Sequence, residues 1–239
     1  MTPLLIDAPR PLGITRSPRA RGKRPTRTLE LDLWDQGVRS VAGVDEVGRG
    51  ALAGPVVSGA VALRPYARPR WLRDLRDSKM LSPAQRRRLA PLIKSAVEDW
   101  AVGWASSEEI DRVGILPATR LSMQRALAGL RTPAEFVLVD GIDRHEFACR
   151  FETIKKGDTM VASIAAASVV AKVARDAWMD AIAGRFAAFR FDSNKGYATA
   201  AHLDALVRAG PCDEHRRSFA PVRAAAGGGS YVLGLPLGP

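Results

Sequence analysis

Ser40-Val41-Ala42-Gly43-Val44-Asp45-Glu46-Val47-Gly48-Arg49-Gly50 is the stretch on which the fold turns. Ser40–Asp45 is a short apolar run that ends on a carboxylate, which predicts a buried strand opening into a turn. Val56–Leu63 is a second apolar run, and the Gly-rich link between the two suits an antiparallel hairpin. Outward from this pair, Trp100–Ala105 reads as a third strand and Glu135–Asp140 as a buried one, again ending on Asp. Ala148–Lys155 suits an edge strand. Ser82-Pro83-Ala84-Gln85 has the pattern of a capping box with Pro at the first helical position, so a helix is expected to about Ala96. Helical patterns follow at Ser107–Asp111 and Thr119–Gly129. A long Ala-rich helix is expected from Thr159 to about Phe189, with Met160, Ile164, Val173 and Ile182 marking its buried stripe. A last helix, Thr199–Ala209, is capped by Thr199 and stopped by Gly210-Pro211. Strands alternating with helices define an α/β class.

The 239 residues carry a formal net charge of +11, which points to a polyanionic partner, most often nucleic acid. From Arg10 to Arg27 there are seven basic residues and no acidic one. Residues 1–27 are Pro- and Arg-rich without apolar periodicity, which predicts a disordered basic tail, either a nucleic-acid arm or an idle extension. Residues 28–223 are expected to form the folded body, including a C-terminal helical part, and the Ala/Gly-rich 224–239 a flexible tail, with Tyr231, Val232 and Leu233 as candidates for docking. Two cysteines, Cys149 and Cys212, with no CxxC, and three histidines argue against a disulfide framework or a zinc site and suit a cytosolic protein. The uncharged apolar stretch Thr159–Ala171 is too short to span a bilayer, and there is no secretory pattern at the start.

Asp45-Glu46, Asp140 and Asp158 each lie where a strand ends or a helix begins. Strand ends form the site-bearing edge of an α/β sheet. If the strands bearing Asp45 and Asp140 are parallel neighbours, the two carboxylates meet. Clustered carboxylates repel one another, and a hard divalent cation such as Mg²⁺ or Mn²⁺ removes that conflict. Two such ions catalyse phosphodiester hydrolysis when they sit roughly 3.5–4 Å apart. Each acid taken singly also reads as a turn former or a helix cap. Glu46 poses a difficulty, because adjacent strand residues point to opposite faces. Gly48 permits the chain to leave strand geometry there, and Arg49 offers a phosphate fork between two glycines that let backbone amides approach a ligand.

Taken together, these segments resemble the type HII ribonucleases H from Ser40 to Val222. The resemblance rests on Val44–Gly50, Asp77-Ser78-Lys79-Met80-Leu81-Ser82, Val139-Asp140-Gly141 and Lys156-Gly157-Asp158. It continues in Ser163–Lys172, Arg175-Asp176, Asn194-Lys195-Gly196-Tyr197 and His215-Arg216-Arg217-Ser218-Phe219. It implies an RNase H-like mixed five-stranded sheet flanked by helices, with a small helical C-terminal part. It also implies a metal-dependent endoribonuclease that uses Mg²⁺ or Mn²⁺ and leaves a 5′-phosphate and a 3′-hydroxyl.

Carried over by position, Asp45, Glu46, Asp140 and Asp158 would be catalytic metal ligands. Gly48, Arg49 and Gly50 would grip the ribonucleotide's 2′-hydroxyl through backbone groups, and Tyr197 would stack on the adjacent sugar; the 2′-hydroxyl is what separates RNA from DNA. Lys79, Ser168, Lys172 and the His215–Arg217 run are further carry-overs, with Ser168 and Lys172 on one helical face. For Lys172 both a phosphate contact and a structural ion pair remain open. The chain departs from the family in having Ala51 where Pro usually follows the glycine turn. The substrates implied are RNA–DNA hybrid and ribonucleotide-containing duplex DNA, acted on by a monomer in the cytosol without a membrane; no protein partner is indicated. Ribonuclease HIII or a junction resolvase would use similar carboxylates. The former typically carries Lys in the glycine turn, and the latter has no use for the turn or for Tyr197. A non-catalytic nucleic-acid-binding protein would not aim four acids at phosphates.

Overall fold

The computed structural model describes residues 24–141 and 146–227, and the backbone of 231–232 and 235–236. Its centre is a five-stranded sheet of β1 (Val41–Val47), β2 (Val56–Ala62), β3 (Asp99–Ala105), β4 (Phe136–Asp140) and β5 (Arg150–Ile154), in the order β3-β2-β1-β4-β5. The hairpin of β1 and β2 is antiparallel, as is the pairing of β2 with β3. β4 runs parallel to β1, and β5 parallel to β4 at the sheet edge. The strands are those the apolar runs predict, and the mixed five-stranded sheet is the one the resemblance implies.

Helices cover both faces. α2 (Pro83–Ala96) and α6 (Ala162–Ala183) bury one face; α4 (Ile115–Ala128), preceded by α3 (Ser107–Val113), buries the other. α2 starts on the expected capping box, with Ser82 and Gln85 satisfying each other's backbone N–H groups. α6 lies directly on β1 and β2. A Cβ on Gly43 would come within 2.2 Å of the Ser163 carbonyl carbon, and one on Gly59 within 2.4 Å of the Ala167 carbonyl oxygen. The bare backbone at those two positions, with the alanines of α6, lets helix and sheet approach, and that approach carries Ser168 to the carboxylate end of β1.

Three expectations need correction. The helix expected over Thr159–Phe189 is three pieces: α5 (Gly157–Met160), α6, and a 3-10 turn at Ala187–Phe189. The break between α5 and α6 is Val161, which is extended (φ −114°, ψ 124°). Thr26 bridges it there, its N–H donating to the Met160 carbonyl at 2.8 Å and its carbonyl accepting from the Ala162 N–H at 2.9 Å. Residues 24–27, expected within the disordered tail, are therefore placed against the body; residues 1–23 lie outside the described residues. Finally, a helix not foreseen, α1 (Thr28–Asp35), precedes β1. Leu29 and Leu33, one turn apart, are buried in the core. Glu30 of α1 accepts from the Ser163 N–H at 2.8 Å, serving the first turn of α6, which has no cap of its own.

The C-terminal part is helical, as expected. α7 (Phe191–Asn194), α8 (Ala200–Ala209) and α9 (Ala220–Ala226) gather Phe189, Phe191, Leu206 and Val222 around Leu52, Ala53 and Met179. Thr199 caps α8 as predicted. α9 runs past the expected domain end at 223. Tyr231–Val232 pairs antiparallel with Leu235–Pro236; Leu233 lies outside the described residues.

Candidate active site

The parallel pairing of β1 and β4 sets Val41 beside Phe136 and continues in step to Val44 beside Val139. The next positions on the two strands are Asp45 and Asp140. Gly43 faces α6, so by strand alternation Asp45 does too. It is 5% exposed. Asp158 joins from the first turn of α5 and is equally buried. It is not the cap of that turn: Lys156, in the left-handed region at φ 58°, holds that position. Glu46 stays in strand conformation, on the opposite side of β1 from Asp45, and the chain turns only at Gly48 (φ 92°).

Burial pushes the Asp45 carboxyl well above the usual carboxylate range, and the charges of Glu46 and Asp140 push it further. Burial also raises Glu46, Asp140 and Asp158; Asp140 adds its repulsion to both Glu46 and Asp158. The four acids thus sense one another. Hydrogen bonds and two nearby cations give partial relief. The Glu46 N–H donates to Asp45 Oδ1 at 2.8 Å, and the Gly157 N–H to Asp140 Oδ1 at 2.6 Å. Arg49 Nη1 lies 3.3 Å from Glu46 Oε1, and Lys79 Nζ 3.7 Å from Asp158 Oδ2. Burial lowers the Lys79 ammonium, but the surrounding carboxylates, Asp158 first, outweigh it and hold it above its ordinary value.

A cleft of about 450 Å³ opens beside these acids, lined by Asp45, Glu46, Val47, Gly48, Arg49, Gly50, Ser78, Lys79, Ser168, Lys172 and Tyr197. Nine of these residues were singled out from sequence; Val47 and Ser78 were not. Asp140 and Asp158 stand outside the cleft wall. Ser168 also bonds Asp45, lowering its carboxyl against the burial effect, and shares a 2.8 Å contact with Ser78. Lys172 forms the structural ion pair: its Nζ is 2.7 Å from Asp176 Oδ1. It also sits 5.4 Å from the centre of the Tyr197 ring, with the Arg175 guanidinium 5.3 Å from that same ring. Tyr197 is thus a half-buried ring beside two cations, in the wall of the same cleft as Asp45 and Glu46. The sequence reading gave Arg175 no role of its own, and nothing in the local pattern marks an arginine in mid-helix as buried.

The donor set suits a hard divalent cation. All four acids supply oxygen, and all are held above their ordinary range by burial and mutual charge, a conflict that a cation relieves. The fit is one of charge and donor chemistry: no three acidic, His or Cys side chains among the described residues are drawn together as a finished metal shell.

A mixed sheet of this topology, with acids at the adjacent ends of two parallel strands and a glycine turn closing the cleft, defines a nuclease of the RNase H-like class. The family model for ribonuclease HII matches residues 42–222. Ribonuclease HII of Bordetella avium (strain 197N) is 49% identical over 190 residues, covering 80% of this chain and 91% of the relative. That of Methylibium petroleiphilum (strain ATCC BAA-1232 / LMG 22953 / PM1) is 52% identical over 199 residues, covering 83% and 96%. Among solved structures, the ribonuclease H2 of Pyrococcus horikoshii OT3 superposes with a TM-score of 0.65 at 26% identity, covering 79% of this chain and 97% of that one. The chain belongs to the ribonuclease HII family. It is a metal-dependent endoribonuclease that hydrolyses the RNA strand of RNA–DNA hybrids and cuts at ribonucleotides embedded in duplex DNA. Neither ribonuclease HIII nor a junction resolvase is favoured.

Proposed function

We propose that Asp45, Glu46, Asp140 and Asp158 hold the divalent cations, Mg²⁺ or Mn²⁺, and that the Gly48-Arg49-Gly50 turn with Tyr197 selects the ribonucleotide. The observation that carries this reading is the single cleft that has Asp45 and Glu46, the glycine turn and Tyr197 in its wall. When bound, the cations stabilise charge on the scissile phosphate. The turn offers backbone groups to the 2′-hydroxyl, and no side chain at Gly50, where a Cβ would face open space, blocks that approach. Tyr197 lays its ring against the neighbouring sugar, in an orientation fixed by Lys172 and Arg175. Ser168 keeps the Asp45 carboxylate aimed along β1. Lys79, with 83% of its side chain exposed, meets the phosphate next to Asp158. Water attacks phosphorus and the P–O3′ bond breaks, which leaves a 5′-phosphate and a 3′-hydroxyl.

The deciding assay uses a DNA duplex with one embedded ribonucleotide and a matched all-DNA duplex. Cleavage at the ribonucleotide is expected with Mg²⁺ or Mn²⁺, none with EDTA, and none of the all-DNA duplex. Cleavage persisting in EDTA would overturn the metal assignment; equal cleavage of both duplexes would overturn the reader.

A further inference from the structure

Two arginines lie beneath the glycine turn, Arg175 from α6 and Arg216 from the segment before α9. Both are 0% exposed, and neither forms a salt bridge among the described residues. A buried charge without a counterion is costly unless its donors are used. Here they are used on main-chain carbonyls. Arg175 donates from Nε to Pro55 O at 2.9 Å, from Nη1 to Lys195 O at 2.9 Å and from Nη2 to Ala53 O at 3.1 Å. Arg216 donates from Nε to Gly54 O and from Nη1 to Arg49 O, both at 2.9 Å. Its Nη2 is buried without a partner. Burial, reinforced by the nearby Arg175 charge, lowers the Arg216 guanidinium to about 9.

Those five carbonyls belong to two segments, the loop from Arg49 to Pro55 and the turn that carries Tyr197. The segments are also joined directly: the Leu52 N–H donates to Gly196 O at 2.8 Å. The strand-like stretch of Arg216 closes the third side, its N–H donating to Leu52 O and the Gly54 N–H donating to Glu214 O, both at 2.8 Å. The packing leaves no slack. A Cβ on Gly48 would meet Arg175 Nε at 2.3 Å, and one on Gly196 would meet Ala53 O at 2.4 Å.

We propose that Arg175 and Arg216 are positioning residues that lock the glycine turn and the Tyr197 turn into one rigid reader of the ribonucleotide. The inference rests on the reading of Gly48–Gly50 and Tyr197 given above. Each planar fork holds two or three carbonyls in fixed directions, which a lysine ammonium does not reproduce. Arg→Lys therefore keeps the charge and removes the geometry. A reader misplaced by about 1 Å costs on the order of 10²-fold in turnover without weakening the phosphate contacts that dominate affinity.

The test compares Arg175→Lys, Arg216→Lys and Tyr197→Ala with the wild type. Thermal midpoint, duplex affinity in EDTA and single-turnover cleavage at one ribonucleotide are measured, with rates normalised to the folded fraction. Expected for both lysine variants is a fall of 10-fold or more in single-turnover rate with duplex affinity changed less than 3-fold. Normalised rates within 3-fold of wild type, with Tyr197→Ala impaired, would overturn this inference and leave the reader intact. An unimpaired Tyr197→Ala would overturn the reader reading and the inference with it. Should both lysine variants fail to fold, hydrogen exchange in the wild type decides. The Leu52, Gly54 and Arg216 amides must exchange only as slowly as the core of β1. Faster exchange by local opening would refute a rigid reader.

Discussion

Asp45 is held in its least comfortable state. Burial and the charges of Glu46 and Asp140 all favour its neutral form, so at neutral pH its ionised form opposes folding. A folded-state pKa raised above the unfolded value means stability gained as the carboxyl protonates and lost as pH rises through its titration. Asp45→Asn mimics the neutral form. In metal-free buffer its thermal midpoint is expected to equal or exceed that of the wild type, while cleavage with Mg²⁺ falls by about 10³-fold. Asp140→Asn is expected to lose activity alike, but it keeps an acceptor for the Gly157 N–H only if its amide oxygen takes that place. Calorimetry and single-turnover cleavage on the same samples check both. An Asp45→Asn protein cleaving near the wild-type rate would remove Asp45 from the metal site, and one melting well below wild type would show the carboxylate to be structural.

At the scale of elements, the hydrogen-bond chain that joins the Tyr197 turn to α8 and the C-terminal segment fixes its own protonation. His202 Nδ1 lies 2.8 Å from the Tyr197 carbonyl, which can only accept, so Nδ1 donates and Nε2 of the neutral ring accepts. His215 Nε2, 3.0 Å away, must then donate, and its Nδ1 accepts the Cys212 N–H at 3.0 Å. A proton added to either ring leaves two donors facing each other. Burial first, then the His202 neighbour, lowers His215 to about 4 from 6.5, and burial lowers His202. With folded pKa below unfolded, this pair contributes its full stability above about pH 6.5 and loses it as pH falls toward 4. His215→Gln removes one titrating ring. Its stability is expected to depend on pH less steeply in that window, by up to about 1.4 kcal/mol per pH unit. Denaturant unfolding at pH 7, 6, 5 and 4.5 measures it; parallel curves would show that His215 does not titrate on unfolding.

How far the elements were legible follows from the range of the forces involved. The Ser82–Gln85 capping box, the apolar strands and Thr199 rest on residues within four positions of one another, and they stand where the pattern puts them. The break at Val161 does not: it is made by Thr26, 135 positions earlier in the chain, pairing across it. α1 was missed for a related reason, since Glu30 and Asp32 sit among its buried residues and blur the apolar stripe. At the site, the acids and the glycine turn were readable because each sits at an element end. Arg175 was not, and Arg216 was marked only within the His215–Arg217 run without its burial, because a buried arginine satisfied by distant carbonyls has no local signature.

For the whole molecule, charge is the property that acts farthest. Residues 1–23 carry five basic side chains and one acid, within a total of +11. If this segment follows the duplex, it adds phosphate contacts without touching the chemistry. The place of the cut matters. A deletion through residue 27 would also remove Thr26, whose pairing holds the junction between α5 and α6 next to Asp158, so lost activity could not be assigned to lost charge. Deleting 1–23 spares that bridge. Each phosphate contact contributes about −0.9 to the slope of log affinity against log salt, so losing three would flatten the slope by roughly 2.7. The expected result is weaker duplex binding at low salt, convergence with the full chain as salt rises, and an unchanged single-turnover rate at saturating enzyme. Binding titrations at several salt concentrations in EDTA, with single-turnover cleavage in Mg²⁺, measure the two effects separately. An unchanged slope would make residues 1–23 an idle extension, and a lower saturated rate would tie them to the site instead.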